Sequence, residues 1–201
     1  MKYFLSAVIL TLVLFWGCEQ STDPVNGQSS NLEKSPSGSI GLASGSYDMI
    51  PLPTRSPIFE DSVFTVSKLI NGLLGGNIVL NKTYISDNGK LVTMLVNLVV
   101  PPLAFNGQQN ITLTVDSCFA SVQCEPGMTF KLPLIMTQTF TGLNLKGYRA
   151  QDIDFVYIED NGTIEDVNNN SILVEKLTGT LTVLNAQIPH FSRYGWVRRH
   201  N

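Results

Sequence analysis

The residues able to carry chemistry are few and far apart in the chain. There are three cysteines, Cys18, Cys118 and Cys124, and two histidines, His190 and His200, both near the C-terminus. Zinc is excluded for Cys118 and Cys124, because a tetrahedral site needs two further ligands that the sequence does not supply. Their spacing is not Cys-x-x-Cys, so a redox pair of that type is excluded too. Residues 151–170 are acidic, and Asp152, Asp154, Glu159, Asp160, Glu165 and Asp166 offer hard oxygen ligands for calcium. Their order does not fit the twelve-residue calcium loop. A hairpin accounts for them better, with Phe155 and Tyr157 on one face, a turn at Asn161-Gly162, and solvated carboxylates on the rim. Gly-x-Ser-x-Gly, phosphate-binding glycine loops and His-Glu-x-x-His are all missing. The sequence therefore assigns no catalytic residue, metal, cofactor or small-molecule substrate.

Cys18 closes a leader. Lys2 gives one positive charge, Phe4 to Phe15 are apolar except for Ser6 and Thr11, and Gly17 puts a small residue directly before the cysteine. Such a run is too short to span a bilayer, which needs about 20 apolar residues, but it has the parts of a secretory signal. The cysteine at the cut resembles a bacterial lipoprotein signal, in which that thiol takes a diacylglycerol and becomes the new N-terminus. The implied protein is held to the cell envelope by its lipid, at the periplasmic face or outer membrane surface. With Cys18 acylated, Cys118 and Cys124 form an even pair in an oxidising compartment, and a disulfide between them is expected.

Composition divides the chain into three parts. Residues 1–17 read as signal peptide. Residues 18–60, rich in Ser, Gly, Asn and Pro, read as a disordered stalk that cannot bury enough surface to fold. Residues 61–201 read as one domain. The formal net charge is −3, and cleavage after Gly17 makes the chain one unit more negative by removing Lys2. Neither value gives a field that attracts nucleic acid. Charged residues are only 14% of the chain, against a usual quarter, so Thr, Asn, Ser and Gln must supply much of the polar surface.

That domain is expected to be all-β, an antiparallel β-sandwich. Ile111, Leu113 and Val115 alternate with Thr112 and Thr114; Phe130, Leu132, Leu134 and Met136 alternate with polar neighbours; Leu181 and Val183 sit between threonines. Asn-Gly pairs at 71–72, 88–89, 106–107 and 161–162 supply turns. Lys90 to Val100 is apolar on both faces and reads as a central buried strand, ending at Pro101-Pro102. A short helical turn fits within Val66 to Leu74. About eight strands at this spacing suggest two sheets.

Several segments together resemble the ZU-five domain of zonula occludens proteins, ankyrins and Unc-five netrin receptors. They are Gly75-Gly76-Asn77-Ile78, then LVVPPLAFNGQQNITLTV (98–115), then HFSRYGW (190–196). Two places depart from that pattern: residues 81–95 are longer than the family's hairpin, and Leu103 follows the prolines where glycine is common. The resemblance implies a non-catalytic sandwich that contacts other proteins. It also carries an alternative, since some relatives cut their own chain at this triplet. Here Ser192 would attack the Phe191 carbonyl while His190 takes its proton, and water would hydrolyse the ester. The structural reading is preferred: Phe191 fills the core, Ser192 faces solvent, and Pro189 fixes the approach to the last strand. A third class, glycan binding, needs exposed aromatics, for which Tyr194 and Trp196 are the clustered candidates. Strand alternation argues against both facing outward, so this class ranks last. The expectation is a lipid-anchored interaction or structural module with a protein partner.

Overall fold

A computed structural model describes residues 46–55 and 64–200. The leader, Cys18 and residues 19–45 lie outside them. In chain order the strands begin with β1 (Tyr47–Met49), β2 (Phe64–Asn71), β3 (Gly76–Ile85) and β4 (Leu91–Val100). They continue with β5 (Gln108–Val115), β6 (Ser121–Glu125), β7 (Thr129–Thr141) and β8 (Ile153–Ile158). The last four are β9 (Ile164–Asp166), β10 (Ser171–Glu175), β11 (Thr180–His190) and β12 (Arg193–Arg199). One sheet has seven strands in the order β2-β5-β6-β12-β8-β9, with β1 added to β12. The other has five, in the order β10-β11-β7-β4-β3. The strand pairings, β3 with β4 and β12 with β8 among them, are antiparallel. The two sheets pack as an all-β sandwich, as the alternation predicts.

Inward residues of both sheets form one continuous core. Ile111, Leu113 and Val115 of β5, Leu134 and Met136 of β7, and Leu181 and Val183 of β11 are all fully buried. Trp196 of β12 crosses the gap between sheets and donates its Nε1–H to Gln138 Oε1 of β7 at 2.7 Å, inside the core. Buried polar atoms are costly unless paired, so this bond makes the register of one sheet depend on the other.

The Asn-Gly turns form for the expected reason. Gly89, Gly107 and Gly162 have φ of 78°, 75° and 81°, a region closed to most L-residues. At 71–72 the positive φ falls instead on Gly75 (72°), where a Cβ would come within 2.5 Å of the Val100 carbonyl oxygen. β2 runs straight into that turn, so the helical turn expected within 66–74 is replaced by strand. Leu103 is one of two non-glycine residues of positive φ (69°) among the described residues. The position where the resembled family favours glycine is thus left-handed here, with a leucine in it.

Two expectations need correction. The folded body starts before residue 61: β1 pairs with β12, Tyr47 opposite Arg199 and Met49 opposite Val197, and Ile50 and Leu52 are buried in the core. Ser-rich composition hid this, because a three-residue strand takes its stability from a partner already in place. Nor is β4 buried on both faces. Val92, Met94, Val96, Leu98 and Val100 point inward, while Leu91, Leu95 and Val99 are 57%, 40% and 39% exposed.

Candidate functional site

The triplet His190-Phe191-Ser192 lies where the chain leaves one sheet for the other. His190 closes β11 opposite Thr129 of the five-stranded sheet. Arg193 opens β12 between Gln123 and Ile158 of the seven-stranded sheet. Phe191 plugs the crossing, buried and edge-on to Phe130 with ring centroids 4.7 Å apart. Its N–H donates to the Met128 carbonyl at 2.8 Å, and the Ser192 carbonyl accepts from the Cys124 N–H at 2.8 Å. The backbone here is therefore held on both sides of the Phe191–Ser192 bond, and neither residue has a positive φ. Pro189 sits inside β11 rather than opening the last strand.

The His190 ring meets aromatic rings. Tyr157 stands edge-on at 4.6 Å and Tyr194 at 6.2 Å. These three side chains and Glu165 line a half-open cleft of about 160 Å³ between β9 and β11. The Tyr194 hydroxyl donates to the His190 carbonyl at 2.7 Å. Burial pushes that phenol well above its ordinary value, and it stays protonated as a donor. Among the described residues no hydrogen bond joins the Ser192 hydroxyl to the imidazole. The geometry thus brings His190 to tyrosines and keeps Phe191 in the core.

The expected Cys118–Cys124 disulfide is not formed. Cys124 is a free, buried thiol on β6, directly opposite Leu113. Cys118 lies in the turn before β6, where its N–H is held by Asp116 Oδ1 at 2.7 Å. From Ser121 to Cys124 the strand already advances about 10 Å, beyond the reach of a disulfide from the turn. Burial, reinforced by Glu125, drives the Cys124 thiol pKa far upward, so it is protonated and inert.

The acidic stretch forms the predicted hairpin, β8 to β9, but its carboxylates are not simply solvated. Arg199 bonds Asp154 Oδ2 at 2.9 Å and also reaches Asp166. Asp152 is buried against Arg149 Nε at 2.7 Å. No group of three metal-ligating side chains gathers among the described residues. Arg199, near the C-terminus, therefore belongs to the sheet and its ion pairs. Tyr194 and Trp196 are two apart, so they share a face, and both are fully buried. That removes the glycan-binding reading in the form that relied on them.

The feature that sequence reasoning missed is the outer face of the five-stranded sheet. One row crosses all five strands: Asn81, Leu95, Thr139, Thr182 and Leu173. A neighbouring row sets Val79 beside Asn97 and Thr137, and the next sets Asn77 beside Val99 and Ile135. Where β4 pairs with β7, the outward rows of β3, β4, β7 and β11 hold Thr, Asn, Gln and aliphatic residues without one ionisable side chain. Lys131 comes only near the start of β7, beyond those rungs. Thr139 and Thr182 share a hydrogen bond at 3.1 Å. Val79 is 46% and Leu173 57% exposed.

No family model, curated protein or solved structure matches the chain. What it does must follow from the chemistry of these residues. The signal for the uncharged face lay in the low charge content and in Lys90–Val100, where a run apolar on both sides named no direction.

Proposed function

We propose that the chain is a lipid-anchored cell-envelope protein whose sandwich is a non-catalytic interaction module. The observation that carries the interaction role is the uncharged outer face of the five-stranded sheet. Aliphatic side chains there stand in rows, part of the polar surface is already bonded to itself, and no charge has to be stripped of water when a partner docks. The anchor rests on the leader and Cys18 and on their resemblance to lipoprotein signals.

The ZU-five-like segments fit the same reading. Gly75-Gly76 opens β3, Pro101-Pro102 follows β4, and His190-Phe191-Ser192 makes the crossing between sheets. Each has a structural task, and none requires chain cleavage.

Two measurements test the proposal. Intact mass of the exported protein should show a diacylglyceryl-modified Cys18, and Cys18→Ser should move the chain from the membrane to the soluble fraction; a membrane-bound Cys18→Ser chain ends the anchor reading. A benzophenone amino acid at position 95, irradiated in intact cells, should give a discrete protein adduct. Absence of any adduct ends the interaction reading.

A further inference from the structure

We infer that the occupant of this face is a second copy of the same chain, packed sheet to sheet about a two-fold axis near Leu95 and Asn97. The inference rests on the proposed interaction role and names its partner. Three observations point to self-pairing.

The first is charge. The chain carries net negative charge, so most surfaces of two copies repel. The outward rows around Leu95 and Asn97 are neutral. Glu175 is met only on the edge strand β10, and Lys131 only toward the far end of β7. A face without charge is complementary to itself, whereas a strongly charged partner would find nothing to pair with.

The second is area. Four strands span about 19 Å and nine residues about 30 Å, so each copy offers about 600 Å². Two copies bury on the order of 1,200 Å², the lower end of stable interfaces. Two sheets stacked face to face at about 10 Å also repeat the packing that already holds this sandwich together.

The third is the treatment of the other outer face. There the apolar residues Val156, Ile158, Ile164 and Val197 are 0–3% exposed, under Tyr47 and Met49. The Tyr47 hydroxyl is tied to the Gly162 carbonyl at 2.6 Å. The described residues cover that patch and leave the five-stranded face open. Isologous pairing covers it with the same residues twice. Two copies anchored in one membrane meet at raised effective concentration, so a modest face suffices.

The test uses the full chain in two differently tagged versions expressed together, one with benzophenone at position 95. The adduct should carry both tags. In detergent solution the purified full chain should sediment as a pair at tens of micromolar. Leu95→Glu should weaken pairing at least 30-fold by placing like charges near the axis, and mixing Leu95→Glu with Leu95→Lys chains should restore it. Melting curves of both variants and of the unaltered protein, taken at a dilution where none of them pairs, should overlay; should Leu95→Glu fail to fold, Val79→Lys takes its place in the same comparison. An adduct to a different protein only overturns the second copy but keeps the interaction reading, while no adduct overturns both. A pair that persists unchanged in the folded variant overturns this face as its seat.

Discussion

The two outer faces of the sandwich have been finished in opposite ways. On the seven-stranded sheet, β1 lies along β12, Tyr47 and Met49 roof a small apolar cluster, and Arg199 joins Asp154 and Asp166 beside it. On the five-stranded sheet, apolar residues of similar kind stay open, among threonines and asparagines. The contrast teaches that outward apolar residues are not a failure of patterning in this chain. It owns the means to cover them and applies those means to one side.

Changes on the shared inner faces should matter most, since both sheets depend on them. Trp196→Ala should lower stability by about 3–5 kcal/mol, read as a urea midpoint, because it opens a cavity and leaves Gln138 without its partner. Alkaline titration comes next. Burial raises the Tyr84 phenol to about 12, partly offset by Arg55, and raises Tyr194 and Tyr47 as well. For Tyr84 the protonated form is favoured in the folded state, so its stability is complete below pH 10 and is lost as pH rises through about 12, and Tyr194 and Tyr47 act in the same direction. For Tyr84 the loss is about 2 kcal/mol once solvent screening is allowed for. Urea midpoints at pH 8 and 11.5 should differ, and Tyr84→Phe should reduce the difference. Tyr47→Ala should cost about 2 kcal/mol by unroofing the cluster and should bring binding of an apolar dye. Leu103→Gly should stabilise by about 1 kcal/mol, because the side chain is exposed and its φ suits glycine. At a dilution where the chain is unpaired, Leu95→Glu should change stability least, by under about 0.5 kcal/mol. A large loss there would mean that both outer faces serve folding, and the contrast would fail.

Much of the architecture was legible because its signals are local. Asn161-Gly162 sets the turn of the β8–β9 hairpin with nothing else consulted, and the alternation around Leu113 sets an inward face. Direction was harder to read. Leu91 to Val100 is apolar almost throughout, so its letters do not say which side meets water. Counting sulfurs paired Cys118 with Cys124, but parity does not say that Cys124 points into the core while Cys118 lies in a turn. β1 was hidden among serines because its stability comes from β12, some 150 residues away. The acidic stretch read as a rim because its partner, Arg199, lies on a different strand.

The adjacency of Tyr47 and Arg199 has a mechanical consequence. A pull arriving along the backbone from before Ser46 meets the outermost rung of a short ladder and loads its rungs one after another. A joint of three rungs yields before the ten-rung ladder of β3 against β4. Under tension the first three residues would let go like the end of a zip. The chain would lengthen there while the sandwich behind Ile50 stayed whole.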